Sequence, residues 1–171
     1  QAQELEDPEL QAQAYRAALD EIMEGLAEED DNPEAFLHLG VVHNELGNYA
    51  SADSAFDRAE ALYPDYGTDA ETGTAAYRLN GWILAYNDAI GYVDAQDPAT
   101  AAEYFQYANL LYDKRPEAYL NAGGQLSGLG DLEGAIENFR MAIAVIDSPD
   151  GEPEDDASRQ AWDEEFWPMA Q

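Results

Sequence analysis

The feature that most restricts this chain is a small–large–small spacing that returns three times. It reads Ala52-x3-Phe56-x2-Ala59, Ala101-x3-Phe105-x2-Ala108 and Ala135-x3-Phe139-x2-Ala142, with a looser copy at Ala18-x3-Ile22-x2-Gly25. The leading alanines stand 34, 49 and 34 residues apart, so two of the three intervals share one period. A second pattern precedes each full copy: Phe36-x2-Leu39-Gly40-x2-His43, Tyr77-x2-Asn80-Gly81-x2-Leu84 and Tyr119-x2-Ala122-Gly123-x2-Leu126. Steps of three and four place the members of each pattern on one helix face. Each unit is therefore expected to be a pair of antiparallel helices. Where two helices cross closely, only small side chains let the axes reach the short end of the usual range of about 8–10 Å, and a ring fills the space beside them.

Counting locates the irregularity. Gly40 to Ala52 and Gly123 to Ala135 are both 12 residues, whereas Gly81 to Ala101 is 20, which puts eight extra residues inside the middle pair. Seven more fall in the connection around residues 65–73. Gly81 to Val93 holds no proline and keeps apolar residues at helical spacing, so the first helix of the middle pair is expected to run about two turns longer and project past its neighbours. Pro33, Pro98 and Pro116 suit first helical turns, with Asn32 and Asp97 as N-caps before two of them. Pro8 to Glu28 reads as one amphipathic helix. After the repeats comes a Pro-, Gly- and acid-rich connector from Asp147 to Asp156, then a short helix with Trp162, Phe166 and Trp167. That helix is expected to cover the apolar face of the last unit.

These patterns resemble the tetratricopeptide repeat (TPR), a 34-residue helix-turn-helix unit carrying W-x2-L-G-x2-Y, then A-x3-F, then Pro. The likeness is carried by Pro33 to Tyr66, including Gly47-Asn48-Tyr49 in the internal turn and Pro64 after the second helix, and by Tyr119, Gly123, Gly130-Asp131-Leu132, Ala135, Phe139 and Ala142 in the last unit. It departs where His43 and Leu126 replace Tyr, Ala122 replaces Leu, and Asn80 stands in the middle unit. The resemblance implies an all-α chain of about eight helices, a right-handed α-solenoid of antiparallel helix pairs. Its expected organisation is an N-terminal helix with a half-repeat at 1–32, repeats at 33–66, 67–115 and 116–149, and a connector with a capping helix at 150–171.

It also implies a non-catalytic protein–protein interaction scaffold, in which the first helices line a concave groove that takes a peptide or a partner's segment. The groove face maps onto Glu34, Leu37, Val41 and Asn44, then Arg78, Trp82, Ala85 and Tyr86, then Glu117, Leu120, Asn121 and Gly124. Arg78, Trp82 and Tyr86 are residue types that dominate binding hot spots, and they suit equally well a packed interior along the lengthened helix. The lysine-rich clamp with which some family members hold acidic C-termini is not carried over, because this face offers Arg78 and no lysine. An alternative is that the chain is the recognition domain of a larger exported or membrane-anchored protein.

Charge narrows the partner. With 37 acidic against 7 basic residues the formal charge is -30, a field that repels nucleic-acid backbones and acidic peptides and favours an apolar or basic protein segment. Such a surface repels itself in dilute buffer and is screened near molar salt, where the Debye length is about 3 Å, a composition like that of proteins from salt-loving bacteria. The apolar content, 46% with 11 Tyr, 5 Phe and 3 Trp, is that of a folded domain. No stretch of 18 apolar residues exists to cross a bilayer. With no cysteine there are no disulfides, thiol nucleophiles or thiolate metal sites.

No cofactor or metal is expected. His38 and His43 are five apart and do not share a helix face, and His43 takes the slot of a core Tyr. The acidic runs Glu28 to Asp31 and Glu152 to Asp156 lack the alternating spacing and glycine of a calcium loop. The glycines at 123, 124 and 130 follow no strand and lack the Gly-Lys-Ser/Thr ending of a phosphate loop. The start at Gln1 rather than Met implies a removed leader, which leaves location open with a lean towards export or the periplasm.

Overall fold

The computed structural model describes residues 7–68, 73–153 and 156–162. Among them there are eight α-helices and no strand, so the chain is all-α. The helices are α1 (Pro8–Glu28), α2 (Pro33–Glu45), α3 (Tyr49–Leu62), α4 (Thr74–Asp94), α5 (Pro98–Leu111), α6 (Glu117–Leu129), α7 (Leu132–Asp147) and α8 (Asp156–Ala161), with a 3-10 turn at Pro64–Gly67. The chain divides into two units, 1–84 and 85–171, and the division falls inside α4.

Helix starts follow from capping chemistry. Asp7 accepts the Glu9 N–H at 2.9 Å ahead of Pro8, and Asn32 accepts those of Glu34 and Ala35 at 3.0 and 3.1 Å ahead of Pro33. Asp97 receives the Thr100 N–H at 3.2 Å ahead of Pro98. Each cap satisfies orphan donors of the first turn, a contribution of about 1 kcal/mol. Pro116 stands one residue earlier than expected, as the residue before α6.

The turns inside the pairs share one design. The amide of Asn48 donates to His43 C=O, that of Asp97 to Tyr92 C=O and that of Asp131 to Leu126 C=O, at 2.9, 2.9 and 3.0 Å. These bonds close the ends of α2, α4 and α6 in the manner of a Schellman motif, and each follows a residue in the left-handed region. Two are glycines, Gly47 at φ +72° and Gly130 at φ +84°, whereas the turn after α4 uses Gln96 at φ +59°.

In the first unit, α2 packs on α3 and α1 on α2. Ala52, Phe56 and Ala59 are fully buried, and the Phe56 ring lies against Gly40 so closely that a Cβ at that glycine would overlap it. Leu26, Leu39 and Ala55 form a further cluster with Leu19, Ile22, Ala35 and Phe36. The half-repeat at Ala18 keeps its large residue in that cluster, but Gly25 is exposed and faces open space, so the close small-residue contact is absent there.

In the second unit, α6 packs on α5 and on α7. Ala101, Phe105, Ala108 and Ala142 are fully buried, and Ala135 nearly so. A Cβ at Gly123 would sit 2.6 Å from the Phe139 ring, which repeats the contact between Gly40 and Phe56. Between α4 and α5 the arrangement differs. Phe105 meets the edge of Tyr86, with centroids 5.2 Å apart, and Ala85 and Ala89 are fully buried one turn apart on α4. α4 has 21 residues where α2 and α6 have 13.

Candidate functional site: the first-helix faces

The faces of α2, α4 and α6 are built separately in the two units. On α2, Glu34 is exposed, Val41 half-buried and Leu37 buried, and Asn44 is only 2% exposed. The Asn44 amide donates to Tyr77 C=O on α4 at 3.0 Å. A Cβ at Gly81 would lie 2.6 Å from that amide. Gly81 therefore does not repeat the glycine-under-ring contact expected from its place in the pattern. It makes room for a polar side chain from α2.

Arg78 spends its donors inside the first unit. Nη1 reaches Asp53 at 2.5 Å, Nη2 Asp57 at 2.6 Å and Nε Glu60 at 2.9 Å, all on α3, and the guanidinium stacks 5.4 Å from the centre of the Phe56 ring. The Thr74 hydroxyl lies 2.5 Å from Glu60 Oε1 and 3.2 Å from Tyr66 C=O. The three acids follow helical spacing, which lines them along one face of α3. Burial works against the charged guanidinium, and its hydrogen bonds to Glu60 and Asp53 outweigh that and move its pKa up. Burial raises the Asp53 carboxyl despite the Arg78 charge beside it. Trp82, one turn further along α4, is 6% exposed.

In the second unit, Asn121 Nδ2 donates to the Tyr86 hydroxyl and to Glu117 C=O, both at 2.9 Å. Burial, with the Glu117 charge behind it, lifts the Tyr86 pKa. The other side of Glu117 is engaged too, since Trp162 Nε1 donates to its Oε1 at 2.7 Å. Trp162 is fully buried, its ring under the Arg159 guanidinium at 4.8 Å, and Arg159 donates to Gly151 C=O at 2.9 Å. Phe166 and Trp167 lie outside the described residues. Leu120 is half-buried against Tyr119, Ala142 and Val145, while Gly124 is exposed and a Cβ there would meet nothing within 4 Å.

The structure thus joins Asn44 to α4 and Tyr86 to Asn121, and turns Arg78 towards α3. Val41, Leu120 and Gly124 keep accessible surface. The arginine network escaped the sequence reading, although Asp53, Asp57 and Glu60 carry its signal in their spacing.

Residues with metal or acid–base potential are placed as follows. His38 is exposed, 3.8 Å from Glu34, and burial lowers the pKa of His43. Glu152 is taken up by Lys114 and the Tyr112 hydroxyl, which hold its pKa below the usual value. Glu154 and Asp155 lie outside the described residues. Among the described residues no group of three His, Asp or Glu side chains is arranged to hold a metal, and no helix is long and apolar enough to cross a membrane.

Helix pairs closed by a glycine under a ring and joined by short left-handed turns define a helix-repeat protein. The repeat has a name, because residues 33–66 match the tetratricopeptide repeat family. The matched stretch comprises α2, α3 and the turn that follows. Among solved structures, a crystal structure of MamA matches 81% of this chain and 68% of its own, at 19% identity and a TM-score of 0.37. A second crystal structure of MamA protein matches 77% of this chain and 63% of its own, at 18% identity and a TM-score of 0.35. No curated protein matches.

Proposed function

We propose that the protein is a non-catalytic interaction scaffold that receives an apolar or basic segment of another protein on its first-helix faces. The observation that carries this reading is the repeat at 33–66, whose family serves protein interaction by presenting first-helix surfaces. In the second unit Leu120 and Gly124 on α6 supply accessible surface for the segment, and in the first unit Val41 on α2 is accessible in its own right. Tyr86 and Asn121, tied to each other, offer a fixed polar edge. Asn44, Arg78, Trp82 and Leu37 have a supporting part within the first unit, where Asn44 ties α2 to α4, Arg78 ties α4 to α3, and Leu37 and Trp82 are buried. The charge of -30 favours a basic or uncharged occupant over an acidic one.

Gly124 supplies the test. Its open surroundings accept a larger side chain, and replacing a helical glycine adds about 1 kcal/mol of helix stability. Gly124→Leu is expected to melt higher than the parent and to lose the proteins that co-purify with the parent at high salt. A variant that keeps the same co-purifying proteins in the same yield contradicts this use of the α6 face.

A further inference from the structure

Beyond Gly81, α4 continues for two turns more than α2 does beyond Gly40, and this extension carries an aromatic surface that closing the helix pairs does not require. Tyr92, in its last turn, lies 4.8 Å centroid to centroid from Tyr104 on α5, and Tyr104 lies 5.7 Å from Tyr107. All three rings are half-buried, so part of each ring reaches solvent. They are held in place by their own hydroxyls. Tyr107 donates to Glu103 at 2.6 Å, and the hydrogen bond with Tyr92 is the main reason the Tyr104 pKa is pushed up to about 12. Asp88 stands one turn before Tyr92 on α4, and its charge acts on Tyr104. Leu110, one turn beyond Tyr107 on α5, is 50% exposed.

Each feature selects for a cation. Ring faces carry a negative quadrupole, so an ammonium or guanidinium group over them is attracted, more strongly when carboxylates stand at the edge. Asp88 and Glu103 supply those carboxylates, and the acidic chain as a whole concentrates positive partners at its surface. An anion finds no cationic side chain among these residues. Leu110, one turn beyond Tyr107, offers an apolar seat beside the rings at a spacing that suits a side chain neighbouring the cation.

We propose that the surface formed by Tyr92, Tyr104 and Tyr107 with Asp88 and Glu103 docks an arginine-bearing segment of a partner protein, the guanidinium on the rings and an adjacent apolar side chain on Leu110. This surface uses none of the residues assigned to the segment above, so the loss of either assignment leaves the other standing.

The test is calorimetric titration of the full chain with a blocked peptide of about ten residues that carries two arginines and a leucine, in about 0.5 M salt to suppress loose ion attraction. The control is the same peptide with citrulline, which keeps the shape of arginine without its charge. Saturable binding of the arginine peptide, weakened about tenfold by citrulline and by Tyr107→Ala, is expected. Glu103→Gln is expected to weaken it as well, whereas Glu24→Gln on α1 leaves it unchanged. Tyr104→Phe keeps the ring and is expected to retain binding, which separates ring loss from disturbance of the fold should Tyr104→Ala melt early. The proposal is overturned by absence of saturable binding, by equal affinity for the citrulline peptide, or by parent-like affinity in folded Tyr107→Ala. It is overturned equally if arginine amide alone binds as tightly as the peptide, which would make this a small-cation site.

Discussion

The pairs α2–α3 and α6–α7 close on the same contact and differ in what covers it. In both, a glycine on the first helix lies under a phenylalanine from the second, Gly40 under Phe56 and Gly123 under Phe139. Phe56 is fully buried, with Arg78 of α4 stacked on its ring and tied to three acids of α3. Phe139 is only half-buried, and α7 turns Leu132, Ile136 and Met141 outward at 62, 50 and 44% exposure. The geometry of a pair is thus set by its own two helices, whereas the burial of its ring depends on the helix that follows.

Two large truncations weigh those contributions separately. Phe56→Ala is expected to cost about 3–5 kcal/mol, the range for a fully buried ring, and Phe139→Ala about half that, because less surface leaves water in the parent fold. Urea unfolding of both variants checks it; equal losses would break the comparison. Next in size is Arg78→Ala, which strips the cover from Phe56 and leaves half-buried Asp53 beside uncompensated acids. We expect a loss of about 3 kcal/mol in thermal or urea melts, partly recovered by adding Asp53→Asn. A loss under about 0.5 kcal/mol, the size of an exposed ion pair, would show that the network is ornamental.

The smallest effect concerns the turns. Gln96 holds the left-handed position that Gly47 and Gly130 hold elsewhere, and an L-residue there costs about 1 kcal/mol. Gln96→Gly is accordingly expected to raise stability by about 0.5–1 kcal/mol, and Gly130→Ala to lower it by a similar amount, both read from melting midpoints. Opposite signs at these two positions sharpen the comparison between equivalent turns.

The helices were legible where local chemistry decides them. Asp7 with Pro8 and Asn32 with Pro33 announce starts, and the alanine–phenylalanine spacing announces which face is buried. The hidden parts depend on side chains meeting from distant stretches. Gly81 sits in the pattern where Gly40 and Gly123 sit, yet it accommodates Asn44, because Phe105 packs on Tyr86, five residues further along the longer α4. Arg78 suits a partner face and a packed interior equally on sequence, because three aligned acids on α3 are inconspicuous in a chain with 37 carboxylates. At the middle turn no glycine marks the left-handed residue, so periodicity alone passed over Gln96. For the candidate site, sequence spacing puts Leu37 and Asn44 on the partner face and leaves Trp82 between that face and a packed interior, and the burial of all three is not legible from one helix considered by itself.

The close seating of a small residue under a ring is tested most directly by two neighbouring glycines of α6. Gly123 and Gly124 are both mid-helix, so alanine gains each about 1 kcal/mol of helix propensity, but a Cβ at Gly123 would stand 2.6 Å from the Phe139 ring and one at Gly124 in open space. Urea unfolding should therefore show Gly124→Ala more stable than the parent and Gly123→Ala less stable by about 1–3 kcal/mol. If both variants gain stability alike, the helices of this pair are not held apart by the size of that residue, and the account fails.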